Sequence, residues 1–301
     1  MKRYFLLFAL LLLCFAGCHQ TPDTPQAPPE EEMTVSAPEE LTKLAGVASV
    51  TAVELEESYK ALAYDVMLRV EELNIHVQLV LPADYVTKSC PIALYLPDVR
   101  TDSRDLATRF AAKGIIVAKL SSRGSNGLSE GKKDMGGEDY ADIKQLLNVL
   151  SEADFLSASN FVLVGASEGT IRCLKLAAEG HPRVTACVLT GTMSDLTALY
   201  QAGLAQAYFK GTLGGTPEEV PEAYTSRSAV TFADQIAVPV LMVHSKGAEA
   251  SFPIAQAHAL RDALIAAGND ESMVIDVDGA FTDFHNNQAL HLMWAWIQEY
   301  H

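Results

Sequence analysis

The sequence predicts an α/β fold, a mostly parallel sheet with helices on both faces. Three observations carry that expectation. From about residue 91 to the end, short apolar runs alternate with segments whose apolar residues recur at helical spacing. At residues 161–180 a buried-strand run, a tight turn of small residues and a helix-like segment follow one another directly. The alternation stops once, between residues 195 and 235, where glycines, prolines and aromatics replace it.

Taken in order, residues 66–70 and 75–81 alternate apolar and polar side chains on either side of Glu71 and Glu72, which predicts an antiparallel pair at a sheet edge. Residues 91–96 are a short apolar run and a candidate buried strand. Residues 103–113 read as a helix ending at Gly114, and 115–120 as the next strand. Residues 138–150 carry Ile143, Leu146, Leu147 and Leu150 at helical spacing. Strand 161–164 and helix 170–179 flank the tight turn. Strands are expected at 184–189, 238–243 and 273–277, with helices at 254–267 and 288–300 after the last two. Alternation of this kind means parallel strands covered on both sides. Within 196–235, Tyr200, Leu204, Tyr208, Phe209 and Tyr224 sit among Gly211, Gly214, Gly215, Pro217 and Pro221. Such an insertion reads as a small cap over a pocket, and its aromatics favour an apolar or amphipathic ligand.

The start of the chain has a different character. Lys2 and Arg3 precede an apolar run over 4–15 and then Ala16, Gly17 and Cys18, the pattern of a secretory signal and too short for a comfortable membrane span. Residues 19–40 hold five prolines and six acidic residues but no Lys or Arg, so they cannot bury enough apolar surface to fold and are expected to form an extended spacer. The expected divisions are a signal over 1–17, a tether over 18–40 and one domain over 41–301. Phe15 to Cys18 resembles the bacterial lipobox. That resemblance implies lipidation of Cys18 and membrane attachment through the lipid. Cys14 is the poorer candidate because Leu13 precedes it, and His19 in place of Asp points to the outer membrane of a cell envelope, facing the periplasm. The whole chain carries 22 basic and 38 acidic residues, a net charge of −16, which argues against nucleic acid and against charge-driven binding to anionic lipid. No Cys-x-x-Cys or zinc-type spacing occurs, so no metal or organic cofactor is expected. Cys173 and Cys187 fall on predicted core elements and are expected to be buried free thiols. The sequence carries no signal of oligomeric state.

The turn itself reads Gly165-Ala166-Ser167-Glu168-Gly169. Between a strand and a helix, Gly-x-Ser-x-Gly is a nucleophile elbow. The glycines relieve clashes on both sides of a serine held out at the top of a sheet. A turn of small residues without chemistry is the plainer reading, and the surrounding order of elements speaks for the elbow. With that order, the chain resembles the α/β-hydrolase superfamily over roughly residues 62–300, and more narrowly its prolyl-oligopeptidase and dienelactone-hydrolase branch. The loop 121–131, with Arg123, Gly124, Gly127, Ser129 and Gly131, is similar to that family's Asp-x-Arg-Gly-x-Gly-x-Ser-x-Gly loop with one extra residue. Residues 224–228 and 236–244 are similar to its Tyr-to-Ser segment and its Pro-Val-Leu strand.

The resemblance implies an acid and a base after Ser167 in chain order. Counting back four residues from Pro253 assigns the acid to Glu249, with Asp195 as an alternative. The family's histidine position holds Thr282, and His285, three residues on, is the best base in the sequence. His244 ends a strand and is expected to be structural, and His258 and His291 lie within predicted helices. Oxyanion donors would be the backbone N–H groups of Glu168 and Val99, with Pro97 and Asp98 where the family has a His-Gly pair. The expected activity is a lipid-anchored serine hydrolase acting on small ester or short peptide substrates through an acyl-enzyme. The altered base and oxyanion positions keep a second reading open: a catalytically impaired relative that binds a ligand or an envelope partner.

Overall fold

Apolar runs of five to seven residues are too short to make a stable helix, and in the computed structural model they become the middle of one sheet. The structure describes residues 37–56, 59–85, 90–97, 104–125, 127–156, 159–248, 250–278 and 287–301. Its strands are β1 (Val47–Val53), β2 (Ala61–Val70), β3 (Leu73–Pro82), β4 (Ile92–Leu96), β5 (Ile116–Leu120), β6 (Phe161–Ala166), β7 (Val184–Thr190), β8 (Val240–Ser245) and β9 (Met273–Val277). They lie side by side in the order β1-β2-β3-β5-β4-β6-β7-β8-β9. From β5 to β9 every neighbouring pair is parallel, whereas the pairs β1–β2, β2–β3 and β3–β5 are antiparallel. The predicted α/β class is therefore met, and the predicted antiparallel pair over 66–81 forms as β2 and β3, but it is not the edge: β1 pairs outside β2, and β3 continues inward to β5.

Helices occupy both faces: α1 (Ala37–Leu41), α2 (Arg104–Ala111), α3 (Tyr140–Glu152), α4 (Glu168–Ala178), α8 (Ile254–Ala266) and α9 (Asn287–Glu299). Strand alternation sorts the core between them. Ile92, Leu94, Phe161 and Leu163 point to the side of α3, α4 and α8. Ala93, Tyr95, Val162 and Val164 point to the side of α2 and α9. Every residue of β4 and β6 is buried, as expected for the centre of a sheet covered twice. Among the described residues no helix is long and apolar enough to cross a membrane.

Two elements were not legible in advance. β1 is an edge strand whose partly buried positions lie three apart instead of two, and its register shifts between Val47 and Ser49, so no period-two pattern marks it. Helix α1 overlaps the last four residues of the segment expected to be extended, 37–40. β8 starts two residues later than expected. Pro239 has no N–H to give a ladder, and its carbonyl instead accepts from the Cys187 N–H at 2.9 Å, just before the first pair Cys187–Val240. The signal, Cys18 and the rest of the tether lie outside the described residues.

The insertion forms three short helices, α5 (Leu196–Gln201), α6 (Gln206–Leu213) and α7 (Pro221–Thr225), followed by two single 3-10 turns. Phe209, Leu213 and Tyr224 build a small core of their own with Met135, Ile171 and Met193. Tyr224 is fully buried and donates its hydroxyl to the Gly215 carbonyl at 3.0 Å.

At the opposite end of the sheet, the chain entering β6 and β7 is closed by one side chain. Arg183 donates Nε to the Ser159 carbonyl at 3.0 Å and Nη1 to the Ser151 carbonyl at 3.3 Å, and its Nη2 reaches the Leu156 and Ser159 carbonyls. Its guanidinium stands 4.6 Å from the Phe161 ring centroid. His181 Nδ1 accepts from the Arg183 N–H at 3.2 Å.

Candidate active site

β6 delivers Ser167 to the carboxyl ends of the parallel strands, where open α/β sheets bind their ligands. Ser167 has φ 54° and ψ −118°, a conformation foreign to residues with a Cβ, and such a residue costs of order 1–3 kcal/mol. Its surroundings hold it there. The Ser167 N–H donates to the Thr190 carbonyl at the end of β7, 2.9 Å away. The Ser167 carbonyl accepts the Thr170 hydroxyl at 2.6 Å, and Thr170 Oγ1 in turn accepts the Met193 N–H at 3.1 Å.

The glycines of the motif are explained by contacts. A Cβ on Gly169 would stand 1.8 Å from the Leu96 carbonyl oxygen, so the start of α4 packs directly on the backbone of β4. A Cβ on Gly165 would meet Cys173 Sγ and Thr170 Cα, both at 2.9 Å. α4 begins at Glu168, so the Glu168 N–H is among the first of the helix, where N–H groups have no intrahelical acceptor and the dipole favours negative charge. Ser167 is 4 % exposed, and its Oγ stands 3.9 Å from Met193 Sδ, its hydrogen-bonding contact among the described residues.

Beside Ser167 lies a pocket of about 240 Å³. The cap supplies most of its apolar wall through Leu199, Leu204, Tyr208 and Phe209, with Met193 and Phe252 completing it. Residues of the 196–235 insertion thus line the same pocket as the serine. Glu168 lines the pocket as well. Its carboxylate accepts the Tyr208 hydroxyl at 2.6 Å and pairs with Lys133 Nζ at 3.1 Å.

The 121–131 loop is held from below. Arg123 and Asp142 of α3 form a buried two-pronged pair, with contacts of 2.8 and 3.0 Å. Donating to the Asp142 carboxylate raises the Arg123 guanidinium's pKa further above its ordinary value, so the cation is permanent. His76 bridges Ser121 Oγ at 2.8 Å and Asp65 at 2.9 Å, which ties the loop to the antiparallel strands. Arg172, 2 % exposed on α4, donates to Ser122 Oγ at 2.9 Å and lies 3.5 Å from the Pro97 carbonyl at the end of β4.

Of the residues singled out in the sequence, the structure brings Ser167 and Glu168 together at the elbow. Val99, Glu249, Thr282 and His285 lie outside the described residues. The segments that hold Glu249 and His285 follow β8 and β9, whose carboxyl ends share the sheet edge of Ser167. Asp195 is the N-cap of α5 and accepts the Ala198 N–H at 2.9 Å. His244 is buried within β8, and His258 and His291 are on α8 and α9 as expected. Cys90, Cys173 and Cys187 are buried free thiols. Among the described residues, no group of three His, Cys, Asp or Glu is placed to hold a metal. Lys133 and Met193 carry no sequence signal. They reach the site from a loop and from a strand end, 35 and 26 residues away from the residues they touch.

Residues 103–301 match the prolyl oligopeptidase family. The uncharacterized peptidase YtmA of Bacillus subtilis (strain 168) is 30% identical over 139 residues, 46% of this chain and 54% of that protein. The chain thus aligns with about half the length of this curated relative. Among solved structures, the acylaminoacyl peptidase of Pyrococcus horikoshii is similar with a TM-score of 0.65 at 17% identity, over 80% of this chain and 41% of that one. The acetyl xylan esterase of Paenibacillus sp. R4 is similar with a TM-score of 0.60 at 15% identity, over 87% and 91%. At such identities the likeness is one of fold, the α/β-hydrolase fold.

Proposed function

The chain belongs to the prolyl oligopeptidase family, and on that premise we propose that it is a serine hydrolase cleaving carboxylic esters or short peptide bonds through an acyl-enzyme on Ser167. The observation that carries this reading is the conformation of Ser167. A φ of 54° on a non-glycine residue, braced from three sides beside a pocket with both polar and apolar walls, is a cost that packing alone does not explain.

In this reading His285 takes the Ser167 proton as Oγ attacks the substrate carbonyl. The backbone N–H groups of Glu168 and Val99 receive the developing oxyanion, the first of them at the positive end of α4. Glu249 orients the histidine and stabilises its imidazolium. The imidazolium then protonates the leaving alcohol or amine, and a water activated by the same histidine releases the acid and restores Ser167. The apolar wall of the pocket supports substrates with an uncharged aliphatic or aromatic substituent. The signal-like start and the lipobox-like Cys18 support a place in the bacterial cell envelope, lipid-anchored through Cys18 and held off the membrane by residues 19–40.

A fluorophosphonate probe tests the chemistry. Labelling of Ser167 in the full-length protein, lost in His285→Ala, is the expected result. A folded protein that takes no probe would leave the pocket a ligand-binding role instead. Cys18→Ser is expected to release the protein from membranes. Retention of that variant would place the attachment elsewhere.

A further inference from the structure

The residue after the nucleophile is an acid, and its carboxylate is part of the pocket wall. An unneutralised carboxylate there would repel the oxyanion that the same residue's N–H is positioned to receive. It is neutralised by Lys133, whose Nζ lies 3.2 Å from Oε1 and 3.1 Å from Oε2. Side-chain exposures of 22% for Lys133 and 11% for Glu168 keep the pair largely out of bulk water. Tyr208 of the cap fixes it from the pocket side. Its hydroxyl donates to Oε1 at 2.6 Å, in the range of a charge-assisted bond, and its ring centroid is 5.6 Å from Lys133 Nζ.

We infer that the Glu168–Lys133 pair, fixed by Tyr208, sets the charge selectivity of the Ser167 pocket and restricts its occupant to an uncharged group. This rests on the hydrolase reading above. An anionic substituent entering the pocket meets the Glu168 carboxylate. An ammonium must displace Lys133, which is tethered beside its partner at a high effective concentration. A neutral aliphatic or aromatic substituent meets Leu199, Leu204, Phe209 and Phe252 and disturbs neither charge. Glu168 and Lys133 are thus specificity-determining residues, and Tyr208 is a positioning residue that acts through Glu168.

The test is a matched series of small esters that carry no charge, one ammonium or one carboxylate, with the charge placed once on the acyl group and once on the alcohol. Wild-type protein should prefer the neutral member. Lys133→Gln should shift kcat/KM toward the ammonium ester by about tenfold. Glu168→Gln should shift it toward the carboxylate ester by a similar factor. The double variant, neutral on both sides, should favour neither charged ester over the other and should discriminate less than the wild type between the neutral ester and the two charged ones, and full wild-type discrimination in it would also overturn the inference. Tyr208→Phe should shift the order toward the ammonium ester by a smaller factor. Unchanged preference in all variants, on both series, overturns the inference. The same esters are titrated calorimetrically into Ser167→Ala protein carrying each substitution, so charge preference is read from Kd without turnover. Absent hydrolysis with the predicted shifts in Kd would sink the hydrolase reading and leave the selectivity standing. Hydrolysis with unshifted preference would do the reverse.

Discussion

The two ends of β6 solve opposite problems. At its carboxyl end the chain is forced into a turn with Ser167 at positive φ, two glycines against neighbouring backbone and side chains, and a cap closing above. At its amino end the chain is relaxed. Arg183 satisfies carbonyls of Ser151, Leu156 and Ser159, and Gly180 has a φ of 70° with open space around it. One strand therefore joins a region where conformational strain is held to a region where a single side chain satisfies several backbone carbonyls. Stability and chemistry are separated along 20 Å or so of a single element.

The sharpest way to break this comparison is to add the same methyl group at both ends. Gly169→Ala drives a Cβ into the Leu96 carbonyl and should cost at least ~3 kcal/mol and abolish activity. Gly180→Ala meets nothing and should cost only ~1–2 kcal/mol, the left-handed penalty, with activity intact. Equal losses in denaturant melts would show that the two ends are not packed differently. Next in size is Arg183→Met, which leaves several carbonyls without their donor. A loss of ~2 kcal/mol is expected, with turnover per folded molecule unchanged. A fall in turnover would mean that the amino end communicates with Ser167.

Ser167→Gly should have the opposite sign. Activity disappears while stability rises by ~1 kcal/mol, because glycine tolerates this conformation. A destabilised glycine variant would mean that the serine is not strained. The smallest effect belongs to His181. Burial first, and the Arg183 charge second, hold its imidazole below the ordinary 6.5, in keeping with a Nδ1 that accepts the Arg183 N–H. The unfolded chain then binds the extra proton more readily, so this group's contribution to stability falls as pH drops below about 6.5 and levels off once the folded histidine is itself protonated. Melting temperatures between about pH 7 and pH 5 should therefore decline less steeply in His181→Gln than in the wild type. Parallel slopes would remove His181 from the acid response.

The same contrast governs what could be read from the sequence. The centre of the sheet was legible because β4 and β6 are buried on both faces and appear as unbroken apolar runs. The elbow was legible because two glycines at fixed spacing have a steric purpose, which the contacts of Gly165 and Gly169 bear out. β1 was not, since a half-exposed edge strand imposes no alternation. Lys133 was not, since nothing local distinguishes a lysine that pairs with Glu168 from one that faces water. Tyr208 stood out as one aromatic among several, and only the fold selects it as the partner of Glu168. Short-range sterics are written in neighbouring residues. Charge pairing across the cap depends on the assembled chain.

Cys173 gives the elbow a clock. Its thiol is fully buried against Gly165, and burial pushes its ionisation well above the ordinary range, so the closed protein presents no thiolate to a reagent. Alkylation at this sulfur then requires α4 to part from β6. Its rate counts how often the turn bearing Ser167 opens and how long it stays open, and a ligand in the pocket should slow the count.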